Sequence, residues 1–198
     1  MLKRLQIKSD FVDGLRVTGA DTVEVVEMVL SGGINKGIVA AINRAGGRAI
    51  GLSGKDANLI RASKLGHKTR DSDSNIEKII DLGFVGEPEE VNGQVLAELA
   101  RTGVTPVIAP VGFDAAGNTY NINADTAAGA VASAVQAKRL LMLTDVAGVL
   151  DARGKRIEDI AADTARRMIN EGVIKGGMIP KIETCLEAVA EGVEAAVI

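Results

Sequence analysis

The chain has 198 residues and a mass of 20.5 kDa, a length that suits one domain better than two. With 46% apolar and 25% charged residues it matches soluble globular averages, which excludes disordered and fibrous classes. Twenty-three Lys and Arg against 26 Asp and Glu leave a net charge of −3 with no basic track, and three Phe, one Tyr and no Trp offer few stacking platforms, so nucleic acid is not expected as a partner.

Taken in chain order, Asp21-Thr-Val-Glu24 is a capping signature. It opens a helical region in which Val26, Leu30 and Ile34 recur every four residues, with a break expected at Gly32-Gly33. A strand is predicted at 48–52, after the Gly46-Gly47 stop. The polar stretch 56–81 reads as a β-rich excursion, followed by a helix at 89–101 and a short buried strand at 105–111 bounded by prolines. Asp114-Ala-Ala-Gly-Asn118 is a hairpin-like turn leading to the alternating segment Tyr120–Asp125 and a small-residue helix over 126–137. An apolar strand at 139–143, helices at 158–171 and 179–191, and the start of a strand at 195–198 complete the pattern. Strands alternating with helices in this way predict an α/β sandwich with a mainly parallel sheet.

Counting removes several chemistries. The single histidine, His67, cannot make a two-histidine zinc motif and reads as a solvated loop residue. Neither Gly54-Lys55 nor Gly154-Lys155 is followed by Ser or Thr, so there is no Walker-type phosphate loop. The one cysteine, Cys185, cannot form an internal disulfide, and the early charges Lys3, Arg4 and Lys8 leave no apolar signal segment, which points to the cytoplasm. The longest small-apolar stretch, Ala127 to Val135, is far short of the roughly 18–20 residues that cross a bilayer, so no membrane association is expected.

Three constellations remain. In an extended segment Asn121, Asn123 and Asp125 would project to one face, aligning two amides and a carboxylate. Asp125 also stands where a helix N-cap would be. Capping alone would account for it, but two further amides on the same face exceed what capping needs. The second constellation is Gly176-Gly177-Met178-Ile179-Pro180-Lys181, where paired glycines and a lysine enter a helix. A cation at a helix N-terminus is mildly unfavourable unless an anion, most simply a phosphate, sits there too. The third is the strand end Leu143-Thr144-Asp145 before a glycine-bearing loop, at the carboxyl edge where parallel α/β sheets bind ligands. Arg16, flanked by Leu15 and Val17, offers a fork suited to a carboxylate.

Together Phe11–Thr18, Gly51–Asp56, Tyr120–Asp125, Leu143–Val149 and Gly176–Lys181 resemble the acetylglutamate kinases of the amino-acid kinase superfamily, in order and over essentially the whole chain. The resemblance implies a three-layer αβα sandwich and transfer of the ATP γ-phosphoryl to the side-chain carboxylate of N-acetyl-L-glutamate, a step of arginine biosynthesis. Residues of about 1–120 would serve N-acetylglutamate and about 121–198 would serve ATP. Arg16 and Asn121, with Asn123 beside them, would hold the N-acetylglutamate. Asp125 would orient catalytic lysines, Lys181 would neutralise the transferring phosphate, and Thr144, Asp145, Lys175, Gly176, Gly177 and Met178 would lie along ATP. Magnesium would arrive on the nucleotide, with no metal ligand from the protein. Complete members of the family are commonly homo-oligomers.

The departures shape a second expectation. The family's opening Lys-x-Gly-Gly turn and His-Gly-Gly-Gly-Pro loop are not in this sequence, and Ala57 replaces a usual glycine. Met1–Leu5 matches the helix after that second loop, and Ala195–Ile198 falls inside a strand ahead of the family's closing segment. The chain thus reads as truncated at both ends, which leaves open an inert or nucleotide-binding fragment. A sibling kinase acting on carbamate, aspartate or UMP is the third reading.

Overall fold

A computed structural model describes residues 1–8, 10–12, 15–70 and 77–198, with 12, 15, 67–70 and 77–80 described by backbone alone. The chain divides into two compact units, Met1–Ala127 and Ala128–Ile198. In the first, a 3₁₀ turn at Leu2–Leu5 precedes an antiparallel pair, β1 (Phe11–Val12) and β2 (Leu15–Arg16). α1 (Ala20–Glu27) then continues through a π-helical stretch, Met28–Ile34, into α2 (Asn35–Arg44). The expected break at Gly32-Gly33 is therefore a widened turn: glycine has little preference for α backbone, while the apolar residues on either side carry the helix through. The helix also begins earlier than the Asp21–Glu24 spacing implies, with Gly19 as cap and Asp21 inside the first turn. Just upstream, Thr18 is held by backbone bonds to Leu82 and Phe84, and the chain turns into the helix directly from that anchor.

By length and composition the helix Ala20–Arg44 could cross a bilayer, a feature that a search for continuous apolar runs overlooks. Two of its polar side chains are tied to strands of its own unit. Asn35, only 2% exposed, donates from Nδ2 to Val107 O at 2.8 Å and to Leu52 O at 3.2 Å, and Lys36 Nζ donates to Gly51 O at 3.0 Å.

These carbonyls belong to a parallel pair, β3 (Ala49–Ser53) and β8 (Thr105–Ala109), joined in register from Ala49↔Thr105 to Ser53↔Ala109. Between them in sequence lie β4 (Ile60–Lys64), the antiparallel β5 (His67–Arg70) and β6 (Glu77–Ile80), β7 (Val85–Val91) and α3 (Gly93–Arg101). His67 therefore opens a strand rather than a loop; the solvation expected of its side chain falls outside the described side chains. The helix expected from Glu89 starts only at Gly93, because Glu89–Val91 complete β7, where Arg61 on the paired β4 meets Glu90 at 2.8 Å. Cross-strand pairing overrides the helical preference of glutamate there.

β9 (Val111–Phe113) and β10 (Thr119–Ile122) close a small barrel in the order β10-β7-β4-β9. Leu59, Ile60, Ala62, Leu82, Val85 and Val111 are buried in this unit. Full burial of each large aliphatic among them contributes about 1.5–3 kcal/mol. The barrel mixes parallel and antiparallel pairs, so the mainly parallel arrangement holds for β3–β8 and for the second unit.

The β9–β10 turn is the expected Asp114–Asn118 hairpin. Asp114 Oδ1 accepts the N–H groups of Ala116 and Asn118, both at 2.9 Å, and Oδ2 accepts Asn118 Nδ2 at 2.8 Å and the Tyr120 hydroxyl at 3.0 Å. The Asn118 side-chain amide above all, with the other donors, holds the Asp114 carboxyl below its usual range, while burial and then the Asp114 acceptor push the Tyr120 phenol up. A folded-state value below the unfolded one, about 3.9, stabilises the turn above that pH and is lost as acid reaches the lowered value. Tyr120 is the only tyrosine and the chain has no tryptophan. Its emission should therefore rise once acid titrates Asp114 below about pH 3.9 and frees the phenol from its carboxylate acceptor. Asp114→Asn should abolish that step; a step that persists in the variant would assign it elsewhere.

α4 (Ala124–Ala134) crosses the boundary between the units. In the second unit β11 (Leu140–Leu141) and β12 (Ala196–Val197) pair in parallel, α5 (Ala162–Asn170) precedes α6 (Met178–Ala190), and both helices start within a few residues of their expected places. One face of the strands packs with Ala132, Cys185, Ala188 and Val193. That packing is close: a Cβ on Gly129 would come within 2.5 Å of Thr184 Cγ2. The other face leaves Leu141, Leu143 and Val197 63%, 93% and 50% exposed.

Candidate functional site

One group of candidate residues lies in the first unit and is organised by β10. Its residues alternate: Tyr120 and Ile122 are buried, while Thr119 and Asn121 stand half-buried on the opposite face. Thr18, with no exposed surface, ties that face to Arg16. Its N–H donates to Leu82 O at 2.9 Å, its carbonyl accepts Phe84 N–H at 2.7 Å, and its hydroxyl donates to Arg16 O at 2.8 Å. The same hydroxyl accepts Asn121 Nδ2 at 3.5 Å, and Asn121 N–H donates to Phe84 O at 2.8 Å. The Arg16 backbone carbonyl and the Asn121 side-chain amide, far apart in sequence, thus meet on one threonine hydroxyl. Arg16 Cζ lies 4.4 Å from the Phe11 ring centroid, a cation–π contact. Asp13 and Gly14 of the same motif lie outside the described residues.

Sequence reasoning included Thr18 in a motif without giving it a role. A lone threonine before a helix carries no sign that a strand end and a distant amide will converge on it.

The row Asn121, Asn123, Asp125 is not one extended comb. β10 ends at Ile122, and Asn123 is the helix cap: its Oδ1 accepts Asp125 N–H at 2.8 Å and Thr126 N–H at 3.5 Å. Asp125 sits inside the first turn of α4, so its carboxylate is not the cap. An asparagine cap outcompetes continued extension because it satisfies helix N–H groups that otherwise lack partners. Asn123→Ala should therefore cost about 1 kcal/mol of stability, read as a lower denaturant midpoint. An unchanged midpoint would mean that the cap contributes nothing.

The remaining candidates lie in the second unit. β11 continues as far as the Met142 N–H, which donates to Val197 O at 2.8 Å, and Thr144 and Asp145 follow at its carboxyl end, with Thr144 Oγ1 donating to Asp145 Oδ1 at 3.3 Å. Gly176 adopts φ +61°, Gly177 is the α6 N-cap without a side-chain capping bond, and Ile179 N–H is taken up by Gly176 O at 3.1 Å. Pro180, in the first turn, has no N–H to satisfy, and Lys181 follows it. Exposed Gly177, the backbone of Met178 and a half-buried lysine form the type of helix start that accepts an anion. A cavity of about 390 Å³ elsewhere in this unit is lined mostly by apolar residues of α5, α6 and residues 195–198, together with Glu158, Asp159 and Ile160 ahead of α5. None of the sequence-derived candidates line it, so it is not this site.

The amino acid kinase family model matches residues 1–198. The chain belongs to the amino acid kinase family. Among curated relatives, it is 62% identical to the acetylglutamate kinase of Gluconobacter oxydans over its full length, covering 67% of that protein. It is 64% identical to the acetylglutamate kinase of Rhodospirillum centenum, again over its full length and covering 65% of that protein. The chain is also similar to the crystal structure of smu.665 from Streptococcus mutans UA159, with a TM-score of 0.82 and 32% identity, covering 97% of this chain and 73% of that one. The chain spans about two thirds of the length of the acetylglutamate kinases it matches. The parallel pair β3–β8 in the first unit and the parallel pair β11–β12 in the second, each with its neighbouring helices, are consistent with an incomplete α/β amino acid kinase fold.

Proposed function

We propose that this chain is part of an acetylglutamate kinase that moves the γ-phosphoryl group of ATP to the side-chain carboxylate of N-acetyl-L-glutamate, in arginine biosynthesis in the cytoplasm. The observation that carries the reading is the convergence of Arg16 and Asn121 on Thr18, in a chain 57–64% identical to acetylglutamate kinases. Arg16 meets Thr18 through its backbone carbonyl, with its guanidinium over the Phe11 ring; a fork-shaped cation and an amide carried on segments joined in this way suit an acylated amino acid, the guanidinium taking a carboxylate and the amide a neutral polar group. Asn123 supports the subsite from the cap position.

Phosphoryl transfer needs positioning and positive charge more than covalent help. Lys181, at the open start of α6, supplies charge to the phosphate in flight. Gly176, Gly177 and Met178 offer backbone, and Lys175 a further cation, along the phosphates. Thr144 and Asp145 lie along the nucleotide, which brings its own magnesium. Asp125 orients the lysines. The complete protein is a homo-oligomer in this reading.

A second reading is favoured by the span of about two thirds of the relatives' length: the chain as it stands binds its ligands and turns over slowly or not at all. One experiment separates these. Purified chain is incubated with ATP, magnesium and N-acetyl-L-glutamate while ADP is followed, with calorimetric titration of each ligand alongside. Turnover of about 1–100 s⁻¹ supports the kinase; binding without turnover supports the second reading. Product from carbamate, aspartate or UMP, and none from N-acetyl-L-glutamate, overturns the substrate.

A further inference from the structure

The polar face of β10 does more than present Asn121. Thr119, two residues earlier on the same face, donates from Oγ1 to Glu27 Oε2 at 3.3 Å. Glu27 is the last residue of α1, and Lys55, just beyond β3, pairs with it at 2.7 Å to Oε1 and 2.9 Å to Oε2. At the other end of the same helix, Thr18 precedes the Gly19 cap and takes Asn121 Nδ2. The two outward residues of one strand thus hold the start of α1 and the point at Glu27 where it passes into the π-helical stretch Met28–Ile34. The Asn121 end carries the candidate subsite, and the Thr119 end carries a clasp in which Lys55 comes from the Gly51–Asp56 segment, to which the sequence reading gave no role, while Glu27 and Thr119 lie outside the family segments. The pair is about two-thirds buried, with side-chain exposures of 37% and 32%, and Thr119 gives the carboxylate a further donor.

We infer that Lys55, Glu27 and Thr119 are positioning residues for the N-acetyl-L-glutamate subsite: by locking the far end of α1 onto β10 they set the register at which Thr18, and Arg16 behind it, meet Asn121. The helix is the lever. Eight residues of α1 span about 12 Å at 1.5 Å per residue, so a clasp released at Glu27 lets the opposite end tilt against a bond that is already long at 3.5 Å. An electrostatic clasp of this kind acts on ligand affinity through geometry and touches no reacting atom. This inference rests on the proposed substrate reading.

The test is calorimetric titration of the purified chain with N-acetyl-L-glutamate and, separately, with a non-hydrolysable ATP analogue. Five proteins are compared: wild type, Lys55→Glu, Glu27→Lys, the double exchange, and Thr119→Val. Each single reversal places like charges together and should weaken N-acetyl-L-glutamate binding about tenfold. Thr119→Val should weaken it by about threefold, the scale of one modest hydrogen bond. The double exchange should return it to within about threefold of wild type, and analogue binding should stay constant throughout. A purely structural role would lower both affinities together. Reversals that bind like wild type overturn the clasp, as does a double exchange no better than its parents. If either single reversal fails to fold, Thr119→Val and the double exchange decide on the same criteria. Failure of the wild type itself to bind N-acetyl-L-glutamate overturns the substrate reading, and the clasp's role with it; that outcome differs from equal binding by all variants, which removes the clasp alone.

Discussion

Lys181→Met should reduce turnover of N-acetyl-L-glutamate by about 10²–10³-fold while leaving the melting temperature essentially unchanged. The two halves of this expectation have one cause. Lys181 occupies the early part of α6, whose N-terminal end carries positive partial charge, so a lysine there is unfavourable to the helix by a few tenths of a kcal/mol up to about 1 kcal/mol. Removing it relieves that end of the helix. The reaction, however, spreads negative charge over the transferring phosphoryl, and a preorganised cation is worth more there than in the ground state. Lys181→Arg should recover part of the rate, since the charge persists while the compact ammonium geometry does not. A rate for Lys181→Met within about fivefold of wild type, well short of that range, would remove Lys181 from the catalytic machinery.

Gly51→Val should have the largest effect on stability. A Cβ at Gly51 would collide with Asn35 Oδ1 and come within 2.6 Å of Lys36 Nζ and 2.9 Å of Asn35 Cγ. Asn35 cannot give way cheaply, because its buried amide holds the carbonyls of both β3 and β8. Displacing it breaks two hydrogen bonds and leaves buried polar groups without partners, at about 1–3 kcal/mol each. We expect a loss of about 2–4 kcal/mol, which for a chain of this size lowers the melting temperature by about 5–15 °C. Gly51→Val combined with Asn35→Ala should lose less than the sum of the two changes, since they act on one contact. Strict additivity would show that the glycine is not there to admit the asparagine.

Much of the second unit was legible in advance. α6 forms within a residue or so of the helix expected at 179–191, and its start carries the Gly-Gly and Pro signals where they were read. The Asp114–Asn118 turn was equally plain, because an Asx-type turn is closed by its own side chains. In both cases the information is local. Three readings changed for the opposite reason. Glu89–Val91 became strand because β4 lies beside it, Gly32-Gly33 stayed helical because the unit holds the helix on both sides of it, and Asn123 took the cap that the alternating pattern had offered to Asp125.

From the linear chain alone came the family resemblance, the α/β class, the glycine-led start of α6 and the residue types suited to a carboxylate and a phosphate, since each depends on neighbours within a few positions. Only the folded molecule decided that Thr18 joins Arg16 to Asn121, that Asn35 needs the bare backbone of Gly51, and that Lys55 and Thr119 meet on Glu27. Those contacts link residues remote along the chain. Hydrogen bonds and charge pairs at such separations are chosen by strand register and helix packing, which no local pattern of residues encodes.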